Sequence, residues 1–347
     1  MLTSKHLSRI AFVMLGGFAS FVITEVLLRL LPIQSSMGNQ PMARFPAITG
    51  GEPGNQFVYT RDWNFTLFNR GEVNSDGFHA AGEFPPSGAD DVTIVVGDSF
   101  IESVMVPADQ TLQARLGMDL HGSAKSVPGL GISGAELGAM HYFIERANTI
   151  WQVDNVVLVV GSNDIKNANF SRGMPYYSPD GNLVSQEAKS KIRSTYIKDV
   201  VKKSALANFV VGQLRLWPKK MVDNFREAEM QNFPFYDSLQ ILPETANIDF
   251  STFFSFLDQE LLSKGKKIVV VINDVLPNPS EDVVLRRDPV LVEFLSLCKD
   301  RDISLVETGE MVAEMKEQGL RARWMRDGHW TPEMHEKVAS EVAHYIK

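Results

Sequence analysis

The stretch Val-Thr-Ile-Val-Val-Gly-Asp-Ser-Phe at residues 92–100 decides the fold. Its first five residues are apolar or β-branched, which predicts a buried strand, and Gly97-Asp98-Ser99 ends that strand abruptly. The residues at 101–120 have largely helical apolar spacing, with Pro107 as an interruption. Ser99 is therefore expected where a strand end turns towards a helix.

A serine at such a turn is well placed for nucleophilic catalysis. Its hydroxyl projects from the sheet edge, and the N-terminus of the next helix offers free N–H groups and a positive potential to a developing oxyanion. Gly-Asp-Ser alone does not decide the matter, because a Gly-Asp turn with a solvent-facing serine is the commoner use of such a stretch. The interpretation of Ser99 depends on later parts of the chain.

Three later stretches carry further motif blocks. They are Val-Pro-Gly-Leu-Gly-Ile-Ser-Gly at 127–134, Val-Val-Leu-Val-Val-Gly-Ser-Asn-Asp at 156–164 and Asp-Gly-His-Trp at 327–330. Together with residues 97–99, they make the chain resemble the SGNH/GDSL hydrolase family, whose four blocks occur here in family order. The resemblance covers roughly residues 91–347 and implies an α/β fold and ester hydrolysis.

The resemblance also implies a role for each motif residue. Ser99 is implied as the nucleophile, His329 as the general base and Asp327 as the group that orients the imidazole. The backbone N–H groups of Ser99 and Gly131, together with the side-chain amide of Asn163, are implied as the oxyanion hole. We expect neither a cofactor nor a metal ion.

The acid–base pair departs from the family pattern, which is Asp-x-x-His. Here the spacing is Asp327-Gly328-His329, and the residue three before the histidine is Arg326, which cannot accept an imidazole proton. Alternate side chains of an extended chain share a face, so Asp327 and His329 can meet if the segment is strand-like, with Gly328 easing the bend. Thr331-Pro332-Glu333 then predicts the start of the last helix, with Thr331 as its N-cap.

Two motifs admit other interpretations. Residues 129–134 match the Gly-x-Gly-x-x-Gly of dinucleotide sites, but the preceding stretch at 124–128 is short and ends in proline, whereas such a site needs a strand there. A metal site without a recognised ligand spacing is the alternative near the C-terminus. Its ligands would be Asp327, His329, Glu333 and His335. We favour the hydrolase assignment at both places.

Three other histidines receive no catalytic role. His121 and His141 are predicted to be surface or packing residues. His79 is predicted to be a solvent-facing loop residue, with a role in the site as the alternative.

Composition limits the functional class. The chain has 347 residues, 44% of them hydrophobic, which suffices for one large domain or two modest ones. A formal net charge of −8 argues against a nucleic-acid partner, which would need a broad basic surface. Cys298 is the single cysteine, so the chain forms no internal disulfide.

Residues 1–33 have the character of a membrane anchor. Basic residues precede an uncharged stretch at 10–24, and the apolar character continues to Leu31, interrupted by Glu25 and Arg29, which can pair on one helix face. Basic residues before the span predict a cytoplasmic N-terminus and place the remaining chain outside the cytoplasm. The expected location is therefore a single-pass anchor in the bacterial inner membrane with a periplasmic or extracellular catalytic domain. The alternative is a cleaved signal peptide, although no clear small-x-small site follows the apolar core.

The remaining chain divides into an arm and a domain. Residues 34–90 are rich in Gly, Pro, Asn and Ser with scattered aromatics, which predicts an irregular linker arm; within it, residues 74–78 resemble a lead-in of membrane-anchored family members. Residues 91–347 are the predicted hydrolase-like domain. The α/β alternation stops at about 170–248, which predicts a helical insertion.

The insertion carries a basic stretch at 186–226. Apolar residues at helical spacing accompany it: Leu206, Val210, Leu214 and Trp217. An amphipathic lid packed on the core is the favoured interpretation, and contact with anionic lipid or a membrane partner is the alternative.

Strands and helices alternate outside the insertion. Helices are predicted at 135–147, 253–262, 290–297 and from Thr331, and strands at 92–96, 155–160, 267–272 and 303–306. This order predicts a flavodoxin-like three-layer α/β/α fold with a parallel sheet of about five strands, and the motif residues fall at or beyond strand carboxyl ends.

The predicted function is that of a membrane-anchored SGNH-type serine esterase. By the resemblance, its substrates are O-acyl esters, in particular O-acetyl esters, of cell-envelope or exported polysaccharide. One alternative is a polysaccharide O-acyltransferase with the same Ser-His-Asp site and a membrane partner that supplies the acyl group. Another is a non-catalytic carbohydrate-binding or scaffold protein of the same fold.

Overall fold

The computed structural model describes residues 4–61, 64–168, 173–178, 180–186, 204–214, 250–273, 289–324 and 327–347. Most of the predicted insertion lies outside these residues, so its helical character stays a prediction. Arg326 also lies outside them.

The strands vary in length from two residues to eight. In chain order they are β1 (Gln40–Pro41), β2 (Thr49–Gly50), β3 (Gln56–Arg61), β4 (Leu67–Glu72), β5 (Val92–Gly97), β6 (Gly129–Gly131), β7 (Val153–Val160), β8 (Tyr176–Tyr177), β9 (Leu183–Val184), β10 (Lys267–Ile272) and β11 (Ser304–Glu307). The helices are α1 (Ser4–Arg29), α2 (Ser99–Glu102), α3 (Leu112–His121), α4 (Leu137–Ile150), α5 (Ser162–Lys166), α6 (Ala205–Ala207), α7 (Ser251–Glu260), α8 (Pro289–Lys299), α9 (Thr308–Glu317) and α10 (Pro332–Ile346). Short 3₁₀ turns lie at Ala108–Gln110 and Leu262–Lys264, and a π-helical turn follows α6 at Asn208–Gln213.

A parallel sheet of five strands forms the centre of the fold, in the order β11-β10-β7-β5-β6. When these five strands are numbered along the chain, their order across the sheet, read from β6, is 2-1-3-4-5, which is the order of flavodoxin-like folds. The predicted fold class is confirmed, and the predicted strands and helices are present with their ends shifted by a few residues.

Alternating side chains of these strands build two cores. On one face, strand residues pack with α4, α7 and α8; members are Ile94, Val96, Leu158, Val270, Phe143, Phe253 and Phe294. On the other face they pack with α3, α9 and α10; members are Val95, Val157, Val271, Leu116, Met315 and Val338. Because both faces are covered, the strands are almost continuously apolar, and each such side chain contributes roughly 1.5–3 kcal/mol by leaving water.

The chain divides into two compact units. One comprises Met37–Gln56, Gly71–Ser190 and Pro234–Lys347 and contains the five-stranded sheet. The other comprises Met1–Ser36, Phe57–Arg70 and Lys191–Phe233. The predicted boundaries at 33/34 and 90/91 stay predictions.

Aromatic residues of the predicted arm pack in the core of the sheet-containing unit. Phe45, Phe78 and Phe84 are buried, and the Phe45 ring meets those of Phe78 and Phe143 edge-on at centroid distances of 5.6 and 5.4 Å. The Phe84 ring meets that of Trp151 at 6.2 Å. These aromatic residues are therefore part of the core, a role that their Gly- and Pro-rich surroundings did not indicate.

The other unit contains α1, which is long and apolar enough to cross a membrane over Ala11–Arg29. Its side chains along this stretch are mostly exposed, including Phe12, Phe18 and Leu27. A helix with this composition and exposure fits either a membrane anchor or a signal sequence.

Candidate active site

The candidate nucleophile lies at the carboxyl end of β5. Ser99 is the first residue of α2, and the Asp98 side chain caps this helix by accepting a hydrogen bond from the Phe100 N–H at 3.0 Å. A Cβ on Gly97 would lie 2.6 Å from the Ile101 side chain and 3.1 Å from the Val159 carbonyl oxygen. Gly97 therefore permits the close strand-to-helix turn that presents Ser99, as the sequence predicts.

The structure brings Ser99, His329 and Asp327 together. His329 Nε2 lies 2.7 Å from Ser99 Oγ, and His329 Nδ1 is in hydrogen-bond contact with Asp327 Oδ1. In the neutral imidazole, Nδ1–H donates to the carboxylate, which leaves Nε2 free to accept the Ser99 proton. Asp327 is buried, whereas 21% of the His329 side chain is exposed, so the imidazole is open to a substrate.

A tight turn allows the short Asp-x-His spacing. Gly328 has φ +82°, and its N–H donates to the Trp324 carbonyl at 2.8 Å, while the Trp324 N–H donates to the His329 carbonyl at 2.9 Å. The segment is thus folded back and not strand-like as expected. Asp327 and His329 meet because glycine adopts the left-handed conformation between them.

Arg323 joins this turn to the sheet. Its guanidinium donates to the Gly328 carbonyl at 3.2 Å and to Asn273 Oδ1 at 2.6 Å, just beyond β10. The same group lies 5.2 Å from the centre of the Phe100 ring, and that ring lies 4.9 Å from the imidazole of His329. The sequence motifs give Arg323 no role, and its partner Asn273 lies 50 residues away in the chain.

Gly131 and Glu102 set the neighbouring edge of the site. Gly131 ends β6 opposite Gly97, and a Cβ on it would lie 2.4 Å from the Glu102 nitrogen. Glu102 Oε2 accepts the Ser133 N–H at 3.1 Å and is also in hydrogen-bond contact with the Ser133 hydroxyl. The loop after β6 is thereby fixed beside α2. Sequence reasoning missed Glu102, although it lies three residues after Ser99.

Asn163 follows β7, the strand on the other side of β5. It lies in α5 with an exposed side chain. The adjacent Asp164 accepts the Gly161 N–H at 2.8 Å, so this carboxylate is engaged at the start of its own helix. Ser99, Gly131 and Asn163 thus lie at or just beyond the carboxyl ends of three neighbouring parallel strands.

Two more carboxyl groups lie close to the imidazole. Burial raises the pKa of Asp98 and of Glu102, while hydrogen bonds and His329 act in the opposite direction. Asp98 Oδ2 lies 3.3 Å from Ser99 Oγ. Both groups therefore hold a proton more readily than an exposed carboxyl group does.

His335 does not join the site as the metal alternative required. Its Nδ1 accepts the Leu112 N–H at 3.1 Å, its Nε2 lies 3.4 Å from Ser103 Oγ, and burial lowers its pKa to about 3. Glu333 is exposed. Among the described residues, no group of His, Cys, Asp or Glu side chains is arranged to hold a metal ion. The glycines at 129 and 131 lie within β6 itself, not after a strand as a dinucleotide site requires.

The other histidines pack or face solvent. His121 is exposed, and His141 is buried, with its Nδ1 2.7 Å from the Tyr177 hydroxyl, as predicted. The prediction for His79 is wrong. Its ring is buried, and Nε2 lies 3.0 Å from the Val106 carbonyl oxygen, because the chain at 71–90 is packed against the domain.

No protein-family model matches the chain, and no curated protein matches it either. Solved structures do. A member of the lipolytic G-D-S-L family from Veillonella parvula is 12% identical, with 73% of this chain and 96% of that chain covered and a TM-score of 0.37. An α/β hydrolase enzyme from the metagenome of Lake Arreo is 13% identical, with 74% and 95% covered and a TM-score of 0.37. A carbohydrate esterase family 2 enzyme with a carbohydrate-binding domain, from Corynascus thermopiles, is 11% identical, with 80% and 74% covered and a TM-score of 0.37.

Proposed function

We propose that the protein is a membrane-anchored serine esterase of SGNH type. The observation that carries the proposal is the chain of hydrogen bonds from Asp327 through His329 to Ser99 at the carboxyl edge of a parallel sheet. Such sheets hold their ligands at this edge, and a serine linked to an oriented imidazole is the arrangement used for acyl transfer.

The proposed reaction has two halves. Ser99 Oγ attacks the ester carbonyl while His329 Nε2 takes its proton, and Asp327 stabilises the imidazolium that forms. The tetrahedral intermediate then expels the alcohol, which receives that proton from His329, and an acyl-enzyme remains. Water, activated by the same imidazole, releases the acid and restores Ser99.

The oxyanion hole is proposed from the donors named in the sequence. Ser99 is the first residue of α2, Gly131 is the last residue of β6, and Asn163 is the second residue of α5. Donors held in advance stabilise the negative charge that develops on the carbonyl oxygen.

The substrate and location follow from the resemblance and from α1. We propose O-acyl esters, in particular O-acetyl esters, of cell-envelope or exported polysaccharide as substrates. In this proposal α1 anchors the protein in the bacterial inner membrane with its N-terminus in the cytoplasm, and the catalytic domain is periplasmic or extracellular. Recovery of a soluble form that begins near residue 35 would instead indicate a cleaved signal peptide.

The test uses Ser99→Ala in the full chain. This change should abolish both labelling by a fluorophosphonate probe and hydrolysis of aryl acetates, with little change in melting temperature. The matched control is Ser123→Ala, an exposed serine outside the site, which should behave as the wild type. If the wild type transfers acyl groups to a glycan with negligible hydrolysis, the protein is the acyltransferase. If it neither labels nor turns over any acyl ester, the non-catalytic alternative holds.

A further inference from the structure

A carboxylate lies within the apolar part of α1. Glu25 precedes the last residue of this helix, Arg29, by one turn, and the apolar sequence continues to Leu31. At 1.5 Å per residue, Glu25 lies about 6 Å along α1 before its last residue, and the apolar Leu30 and Leu31 follow beyond the helix. A charge at this level of a membrane helix is costly unless it has partners nearby.

The partners of Glu25 come from the insertion. Its carboxylate accepts hydrogen bonds from the Ser204 hydroxyl at 2.9 Å, the Ala205 N–H at 2.9 Å and the Leu206 N–H at 3.0 Å. Arg29, one turn further along α1, is paired with the same carboxylate at 2.8 Å. Glu25 therefore satisfies the free N–H groups at the start of α6 and fixes residues 204–206 at its own level on α1.

Apolar packing supports the same contact. Leu28 and Ile33 form a small buried cluster with Ala205, and Leu206 and Phe209 are partly buried against it. All of these residues belong to one compact unit.

The segment that Glu25 holds has the composition of a membrane-surface element. Residues 204–214 read Ser-Ala-Leu-Ala-Asn-Phe-Val-Val-Gly-Gln-Leu, eleven residues without a charge, and in the sequence they are bracketed by Lys202-Lys203 and Arg215. This segment is too short to cross a bilayer, while an uncharged, largely apolar segment with basic flanks suits the boundary between anionic headgroups and acyl chains.

We propose that residues 204–214 are a second membrane-contacting element, held beside α1 by Glu25 and in contact with lipid at the outer surface of the bilayer. The proposal rests on the membrane anchoring that is part of the proposed function. Because residues 204–206 contact Glu25, they lie at the same depth in the membrane as Glu25. In this proposal both the N-terminal helix and the insertion contact the membrane.

The test measures lipid contact at single positions in the full chain. The protein is reconstituted in vesicles of phosphatidylcholine with a minority of phosphatidylglycerol, and a fluorophore is attached at Val210→Cys. Quenching by lipids with brominated acyl chains is then recorded. Leu27→Cys on α1 is the positive control and Leu320→Cys the negative control, both exposed positions. Because the native Cys298 is buried, it should react little with the fluorophore. Labelling of the unsubstituted protein measures this background.

The controls separate this proposal from the anchor itself. We expect strong quenching at positions 27 and 210 and none at 320. Quenching at 27 without quenching at 210 overturns the proposal but leaves the anchor intact. Absence of quenching at 27 overturns the membrane anchoring, and this proposal falls with it.

Glu25 variants test the cause of the contact. In the Val210→Cys background, Glu25→Ala removes the acceptor for the Ser204, Ala205 and Leu206 donors and should abolish most of the quenching at 210. Arg29→Ala removes the ion pair but keeps those hydrogen bonds, so quenching should persist. Equal quenching in both variants would overturn the role of Glu25 in holding the segment.

Discussion

The nucleophile segment (residues 97–103) and the base segment (residues 323–330) meet in one site but are built differently. In the nucleophile segment the turn that presents Ser99 is held by short-range contacts: Asp98 accepts the Phe100 N–H, and the Ser103 N–H donates to the Ser99 carbonyl at 3.0 Å. In the base segment the turn is tied to the sheet by Arg323, whose partner Asn273 lies 50 positions earlier.

The difference shows which parts of a catalytic arrangement a short motif can specify. A strand, a glycine and a helix cap place Ser99 with few other residues. The imidazole needs a left-handed glycine, a buried carboxylate and a long-range arginine before it points at Ser99. Variants in the base segment should therefore change catalysis through the position, tautomer and charge of the imidazole.

The largest effect in the base segment is expected from Asp327→Asn. Asparagine can hold the imidazole in the wrong tautomer and does not stabilise the imidazolium, so kcat for aryl acetate hydrolysis should fall by up to about 10⁴-fold. The matched control is Asp109→Asn, an exposed carboxylate in a 3₁₀ turn, which should leave kcat unchanged. A loss below about tenfold would mean that His329 works with Ser99 as a dyad.

On the nucleophile side, Asn163→Ala should remove one oxyanion donor. Turnover should fall roughly 10²- to 10³-fold, while fluorophosphonate labelling of Ser99 remains possible. Asn167→Ala, which alters the residue after α5, is the control. Equal turnover in the two variants would exclude Asn163 from the oxyanion hole.

A smaller effect is expected from Arg323→Met. The turn at Gly328 loses its tie to Asn273, and a displacement of His329 by a fraction of an ångström should lower kcat by about 10- to 10²-fold with little change in KM. Arg321→Met is the matched control, because this side chain is exposed. Arg323→Lys, which cannot reach both partners, should recover little activity, and full activity in the Met variant would reject a positioning role.

The smallest effect concerns stability and a residue that joins the two segments. His335 belongs to α10, which follows the base segment, and contacts Ser103 of the nucleophile segment. Its pKa is about 3 in the folded protein, against about 6.5 in an unfolded chain. Below about pH 6.5 the unfolded chain binds a proton at this histidine that the folded protein does not bind. The free energy of unfolding therefore decreases as the pH is lowered, by roughly 1.4 kcal/mol per pH unit.

His335→Gln removes this titration while an amide oxygen can still accept the Leu112 N–H. Urea unfolding at pH 7 and pH 5 should show a smaller loss of stability in the variant than in the wild type. Burial also lowers the pKa of His141, to about 4. Because His141 is present in both proteins, its contribution to the pH dependence is the same in each and cancels in the comparison. Parallel curves for the two proteins would show that His335 is not held neutral by the fold.

The sequence by itself determined the order of strands and helices, because both faces of the sheet need apolar residues and glycines, prolines and caps mark the ends. The strand at 267–272 and the helix start after Thr331 were predicted at the positions where they occur. The motifs also singled out Ser99, His329 and Asp327, which the structure brings into contact.

Only the tertiary structure decided the parts that depend on distant partners. The left-handed turn at Gly328 explains how Asp327 reaches His329, and the contacts of Arg323 and Glu102 could not be read from local patterns. The burial of Phe45 and His79 likewise depends on elements elsewhere in the chain. Local conformational preferences act over a few residues, whereas these positions are set by packing and hydrogen bonds between residues far apart in the sequence.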